Sequence, residues 1–160
     1  ARVLGAGMTS DAHHIAAPEP EGVGAASAMS MAVEDAGVSA ADIVHVNAHA
    51  TSTPVGDIAE SKAIRRAFGD EADHMAVSGT KSLTGHLLGG AGAVESVFTV
   101  MALHDRTAPA TANIETFDEA IQLDVVRDTH RELPAGQVAA LNNSFGFGGH
   151  NVAVVFGSAL

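Results

Sequence analysis

Strand-like and helix-like stretches alternate along this chain, and polar, glycine-bearing segments follow several of the strands. That alternation constrains the fold more than any other feature. Arg2–Met8 reads as a short strand and Asp11–Pro20 as an irregular loop. Val23, Ala26, Met29, Ala32 and Val33 recur at three-to-four spacing, which predicts a helix over Gly22–Asp35 with Gly37 as its stop. Ile43–Val46 and Met75–Val77 read as buried strands, and Asp57–Phe68 between them as a helix. Its acidic start and basic end suit the helix dipole. Gly85–His104 reads as one long, small-residue-rich helix, followed by strands at Ile121–Val126, Val138–Leu141 and Asn151–Phe156. The order β-α-β-α-β-α-β-β-β implies an α/β fold: a largely parallel sheet covered by helices, with an antiparallel ending.

Composition supports close packing. There are 17 glycines and 31 alanines among 160 residues, and only 4% aromatics, which lets helices sit tightly on a buried sheet. Hydrophobic residues make up 46% and charged residues 17%, as in a core-forming chain. Eight basic side chains stand against 19 acidic ones, a formal net charge of −11. That argues against a nucleic-acid partner and against a polybasic membrane anchor. No signal peptide is read at Ala1–Val3. The apolar run Leu87–Leu103 contains Glu95 and Ser96 and falls short of a membrane span, so no membrane partner and a cytoplasmic chain are expected. There is no cysteine, which excludes a disulfide scaffold, a cysteine-ligated metal and a cysteine nucleophile from these residues.

In open α/β sheets functional groups gather beyond the carboxyl ends of strands. Asn47–Gly56, Ser78–His86 and Asn142–Asn151 fall at such ends. His45 and His49 are four apart, but on a strand that separation spans about 13 Å, too far to share a metal. Gly79-Thr80-Lys81-Ser82 lacks the glycine that precedes lysine in a phosphate loop. Gly146–Asn151 has asparagine where a dinucleotide fingerprint needs glycine or alanine, and it precedes a strand. No metal and no nucleotide cofactor are expected. On spacing alone, His49, His86 and Lys81 leave a catalytic and a structural reading open.

Three longer segments carry a resemblance. Val46-Asn47-Ala48-His49-Ala50-Thr51-Ser52-Thr53-Pro54-Val55-Gly56-Asp57 is the first. Thr80-Lys81-Ser82-Leu83-Thr84-Gly85-His86-Leu87-Leu88-Gly89-Gly90-Ala91-Gly92 is the second, and Asn142-Asn143-Ser144-Phe145-Gly146-Phe147-Gly148-Gly149-His150-Asn151 the third. In order and spacing they resemble the signatures of β-ketoacyl-acyl carrier protein synthases, most of all the elongating type II enzymes of fatty-acid synthesis. The resemblance covers essentially all 160 residues. It implies a thiolase-like fold of two similar α/β halves in five layers, usually a homodimer. Residues 1–160 resemble the C-terminal half, with a mixed, largely parallel five-stranded sheet.

The same resemblance implies that a cysteine in the absent N-terminal half accepts the acyl chain, so these residues alone are expected to be inactive. It makes His49 and His86 neutral N–H donors to an enolate oxygen formed when malonyl-acyl carrier protein loses its carboxylate. Lys81 matches the family lysine beside them, with either an electrostatic or a tautomer-fixing role. Thr51 and Thr53 match hydroxyls that bind the pantetheine arm. Phe147 matches the gating phenylalanine, and Phe145 supports its loop. Glu95 matches a supporting glutamate; Asp57 either caps its helix or joins the same polar network. His150 stands where many relatives have Thr or Ser, and His45 receives no role. The phosphopantetheine arrives on the acyl carrier protein, so no resident cofactor is implied. Arg65 and Arg66 are candidates for docking that acidic carrier, with the main basic patch expected on the absent half. An apolar face should mark where that half packs. A polyketide ketosynthase and a non-catalytic partner such as a chain-length factor are the alternatives. A degradative thiolase would need a second cysteine here.

Overall fold

The computed structural model describes residues 1–159. In chain order the elements are β1 (Arg2–Ser10), α1 (Val23–Ala36), β2 (Ile43–Asn47), α2 (Gly56–Phe68), β3 (Ala76–Ser78), α3 (Lys81–Thr84), α4 (Ala91–Asp105), β4 (Thr107–Ala108), β5 (Arg131–Glu132), β6 (Ala139–Gly146) and β7 (His150–Gly157). Five strands form the main sheet in the order β1-β7-β6-β2-β3, and β4 pairs with β5 apart from it.

The expectation of a largely parallel sheet holds for direction and fails for hydrogen bonding. β1 and β6 both run antiparallel to β7, while β6, β2 and β3 pair in parallel. Four strands therefore point the same way, and β7 alone opposes them. Half of the ladders are nevertheless antiparallel, because β7 lies between β1 and β6 instead of at an edge.

The expected small-residue packing is seen where α1 crosses β1. A side-chain carbon added to Gly7 would lie 2.0 Å from the Ala28 carbonyl oxygen, and one on Gly5 would lie 2.3 Å from the Ala36 nitrogen. Only glycine lets the helix sit this low. α1 and α2 cover one face of the sheet, with Met29, Ala32 and Ile64 packed on Val46, Leu141 and Val155. The alternate residues of the same strands point the other way, where Leu103 of α4 meets Ala140 and Phe156. Gly37 stops α1 with φ 65°, its N–H bonding the Glu34 and Val33 carbonyls.

Two expected elements differ. The helix expected over Gly85–His104 begins only at Ala91, after a short 3₁₀ turn at Leu88–Gly90. Gly85 (φ +72°) and Leu88 (φ +51°) lie in the left-handed region, which interrupts the helical path despite the apolar run. The strand expected over Ile121–Val126 shrinks to a single parallel bridge between Val125 and Val77. Its partner β3 has only three residues, and Val77 already satisfies the Asp124 and Val126 backbone groups.

Candidate active site

The site begins with the parallel edge of the sheet. Because β6, β2 and β3 run together, their carboxyl ends lie side by side, and Asn47 is in register with both Ser78 and Asn142. Asn47 donates to the Glu95 carbonyl and accepts from the Thr80 hydroxyl. Asn142 donates to the Gly92 carbonyl and the Ser96 hydroxyl. The amide at the end of β2 and one in the middle of β6 thus fix the start of α4, and with it Glu95.

Glu95 is 2% exposed, and one of its oxygens lies 2.5 Å from the Lys81 ammonium, itself buried. Burial pushes the Glu95 carboxyl above its usual range, against the pull of Lys81. Its other oxygen, Oε2, is buried without a hydrogen-bond partner, as is Oδ1 of Asn142. Lys81 opens α3 directly after β3, which brings its charge into the same space.

His49 follows β2 at the turn out of the sheet. Its ring centroid is 5.4 Å from that of His86, with the two planes nearly perpendicular at 84°. Phe145 of β6 stands 5.6 Å away on another side. Burial pushes the His49 pKa down to about 3, and the Lys81 and His86 charges add to it. The ring is neutral at physiological pH. Its Nδ1 is buried with no hydrogen-bond partner among the described residues. His86 is exposed, and its Nδ1 accepts the Leu88 backbone N–H at 3.1 Å. An accepting Nδ1 places the proton of the neutral ring on Nε2. His86 thus lies between two glycine-interrupted turns, and not at the opening of the long helix as its sequence suggested.

Thr51, Thr53, Asp57, Lys81 and His86 line a cleft of about 620 Å³. Its far wall is Thr111–Asp118 with Ile121, Leu123 and Val125. That wall is tied back by the Gly79 N–H to Thr111 and the Ala112 N–H to Ser82. His49, Phe145 and Phe147 lie outside this lining. The Thr51 and Thr53 hydroxyls are 3.1 Å apart, and Thr53 also accepts the Gly56 N–H. Asp57 does not cap α2. Its carboxylate accepts the Ser52 N–H, five residues back, and so belongs to the loop network. Burial raises its pKa. Phe147 is 82% exposed on the β6–β7 turn, where Gly148 and Gly149 both have positive φ.

Arg65 is not free to dock a partner. It pairs with Asp73 at 2.7 Å and donates to the Gly69 and Gln122 carbonyls, tying the end of α2 to the cleft wall. Arg66 is exposed. His45 is buried under α4, with Nδ1 donating to the Ala76 carbonyl, and burial pushes its pKa down to about 4. Leu83 on α3, Leu87 and Leu88 in the turn that follows, and Val97 and Met101 on α4 are each exposed.

Sequence reasoning passed over Glu60. It is buried, and its carboxylate accepts the backbone N–H groups of both His49 and Ala50 at 2.8 Å. The signal was present: Glu60 sits on the apolar stripe of α2 with Ala59, Ala63 and Ile64. A charge there needs buried partners.

The family described as "Beta-ketoacyl synthase, C-terminal domain" matches residues 1–115. The chain belongs to the β-ketoacyl synthase family. It is 46% identical over 156 residues to 3-oxoacyl-[acyl-carrier-protein] synthase 2 of Staphylococcus aureus (strain COL). That alignment takes in 98% of this chain but 37% of the relative, so the chain spans well under half of the relative's length. A β-ketoacyl synthase from Burkholderia phymatum superposes with a TM-score of 0.89 at 37% identity, over 99% of this chain and 37% of that one. A type II polyketide ketosynthase, solved with its acyl-carrier protein and bound to the hexaketide, superposes with a TM-score of 0.92 at 30% identity, covering 99% and 38%. The ketosynthase ApeO of Xenorhabdus doucetiae, solved with its chain length factor, gives 0.88 at 38%, covering 98% and 39%. The two halves of the fold reading, α/β class and thiolase-like ketosynthase architecture, therefore agree. Among the described residues no helix is long and apolar enough to cross a membrane.

Proposed function

We propose that these residues are the C-terminal part of a 3-oxoacyl-acyl carrier protein synthase that extends fatty acyl chains by decarboxylating Claisen condensation. One observation carries the reading: two imidazoles from separate strand-end loops stand 5.4 Å apart, edge to face, one of them held neutral by burial. Malonyl thioester loses its carboxylate as carbon dioxide, and the electron pair left behind forms an enolate. His49 and His86 offer Nε2–H donors to its oxygen. The enolate carbon then attacks an acyl thioester and displaces a thiolate. That sulfur belongs to a cysteine outside these residues, since none occurs within them. One preorganised donor to such an oxyanion contributes roughly 3–4 kcal/mol of transition-state stabilisation.

Lys81 would act from behind the pair. Its ammonium is paired with Glu95, and its field adds to burial in keeping His49 unprotonated, which favours donation without charge on the ring. Thr51 and Thr53 at the cleft would meet the pantetheine arm, and Phe147 on its glycine-flanked turn would gate the acyl side. The exposed apolar set on α3 and α4 would receive the N-terminal half, with acyl carrier protein, a homodimer and a cytoplasmic setting completing the reading. The identity to the staphylococcal enzyme, 46%, against 30% to the type II polyketide ketosynthase, supports fatty-acid over polyketide chemistry. The test is the full-length protein with radiolabelled malonyl-acyl carrier protein and acyl-acyl carrier proteins of graded length. Condensation on saturated primers is expected; absence of both decarboxylation and condensation would end the reading.

A further inference from the structure

His150 has no part in the chemistry above, yet its ring lies at the turn that carries Phe147. β6 ends at Gly146 and β7 begins at His150, and these two residues pair across the ladder, so Phe147, Gly148 and Gly149 link the strands. Phe147 is exposed, so the backbone around it sets where its ring points. The two following glycines have different neighbours. A side-chain carbon added to Gly149 would lie 2.8 Å from Asp11 Cβ, whereas one added to Gly148 would lie 3.3 Å from His150 Nε2 and 3.4 Å from its Cδ2. One added to Gly146 would lie 3.9 Å from His150 Cβ. The imidazole therefore folds back along the turn from its own strand and sets its outer edge beside Gly148. The two sides of the turn are held by different means. Along β7, Ala153 and Val155 pack toward α1 and α2, while Val154 and Phe156 pack on the side of α4. By that alternation Asn151 turns to the α1 side, where it donates to the Asp11 carboxylate, and His150 turns to the α4 side. The Asp11 N–H donates to the Gly149 carbonyl, and the Gly148 N–H to the Ile15 carbonyl, both at 2.8 Å. Polar bonds thus tie the turn to the loop after β1, and a ring edge stands against it from His150. That contact needs reach. A Thr or Ser side chain stops at the γ position, short of the two ring atoms that meet Gly148.

We infer that His150 is a positioning residue for Phe147: its ring props the glycine turn from the α4 side and slows the turn's movement. The inference rests on the gating role proposed for Phe147. A contact of a few ring atoms is weak, so the effect it exerts is modest. In the full-length protein His150→Thr should speed transfer of an acyl chain from acyl-acyl carrier protein to the nucleophile about 3- to 5-fold, with malonyl decarboxylation changed by less than about 2-fold. His150→Phe puts ring atoms back at the same reach and should match the unaltered protein, as a steric prop requires and a proton donor would not. 4-Fluorophenylalanine reads the turn directly, with the Phe147 signal assigned by its loss in Phe147→Leu. ¹⁹F relaxation dispersion should show faster exchange of that signal in His150→Thr than in the unaltered protein or in His150→Phe. Unchanged acyl transfer together with unchanged exchange in His150→Thr overturns the inference, as does His150→Phe behaving like His150→Thr. If the unaltered enzyme neither decarboxylates nor condenses, the proposed function fails, and the fluorine exchange still decides on His150. Should His150→Thr not fold, the unaltered protein decides. Nuclear Overhauser contacts between the His150 ring protons and the Gly148 Hα are expected there, and their absence refutes the prop.

Discussion

His49 and His86 face each other at one site but are held in opposite ways. Under His49 lies a buried polar foundation: Glu60 on its backbone, Asn143 on Glu60, Lys81 on Glu95, and Asn47 on the start of α4. His86 stands on an exposed loop with glycines on both sides, and its ring has one hydrogen bond, from the Leu88 N–H. The contrast separates two ways of placing a donor. The first is built into the fold and shares its stability. The second is set by local backbone and leaves room for movement as substrate enters. Buried polar networks of the first kind are costly to break, whereas exposed loops tolerate change.

The sharpest test of that contrast uses both histidines in the full-length protein. His49→Ala should lower malonyl decarboxylation about 100- to 1,000-fold, measured as labelled carbon dioxide release, with acylation of the nucleophile retained. Equal loss of both steps would mean that His49 serves the fold and not the enolate.

Stability should divide the two regions next. Lys81→Ala leaves the Glu95 carboxylate buried without its cation, and urea unfolding should show a loss of about 3–5 kcal/mol. His86→Ala should stay within about 0.5 kcal/mol, being exposed. Similar losses from both would erase the distinction.

Acid should act on the buried region in the same direction. His45 has its pKa pushed from the ordinary 6.5 to about 4 by burial, while its bond to Ala76 opposes the shift. The unfolded chain therefore takes up a proton before the folded one. Stability from this group is whole above pH 6.5 and falls as the pH drops from 6.5 toward 4, by about 3 kcal/mol. His49, pushed lower still, adds to the same slope. Denaturant midpoints measured across this range should flatten in His45→Gln; an unchanged slope would locate the acid sensitivity elsewhere.

The smallest effect belongs to the surface. Arg131 grips Asp124 with both guanidinium nitrogens, but both side chains are well exposed. Arg131→Ala should cost less than about 1 kcal/mol, and less still at high salt. A larger loss would show that the segment before β5 carries part of the cleft wall.

What the sequence disclosed, and what it hid, follow the same division. His49, Lys81 and His86 stood out because they lie in polar runs that interrupt apolar ones near strand ends, but spacing left their role open, and only the resemblance of the three longer segments gave them one. Glu60 was hidden because one acidic residue in a helix looks like any solvated glutamate until its neighbours are known. The extent of α4 was misjudged because Leu87–Leu103 is apolar throughout its first turns. Positive φ at Gly85 and Leu88 then sends the chain another way. Ile121–Val126 looked like a strand by composition, yet three-residue β3 offers it a single bridge.

By itself the sequence determined the class of the fold and the kinds of group near the site. Periodicity, glycine placement and the absence of cysteine are local or global properties of a string of residues. Only the tertiary structure decided that β7 runs between β1 and β6, that two imidazoles meet edge to face, and that one of them is kept neutral. It also decided that Glu60 finds Asn143, 83 residues away. The physical reason is desolvation. Burial sets the protonation of His49 and the value of each buried hydrogen bond, and burial exists only once distant segments have packed.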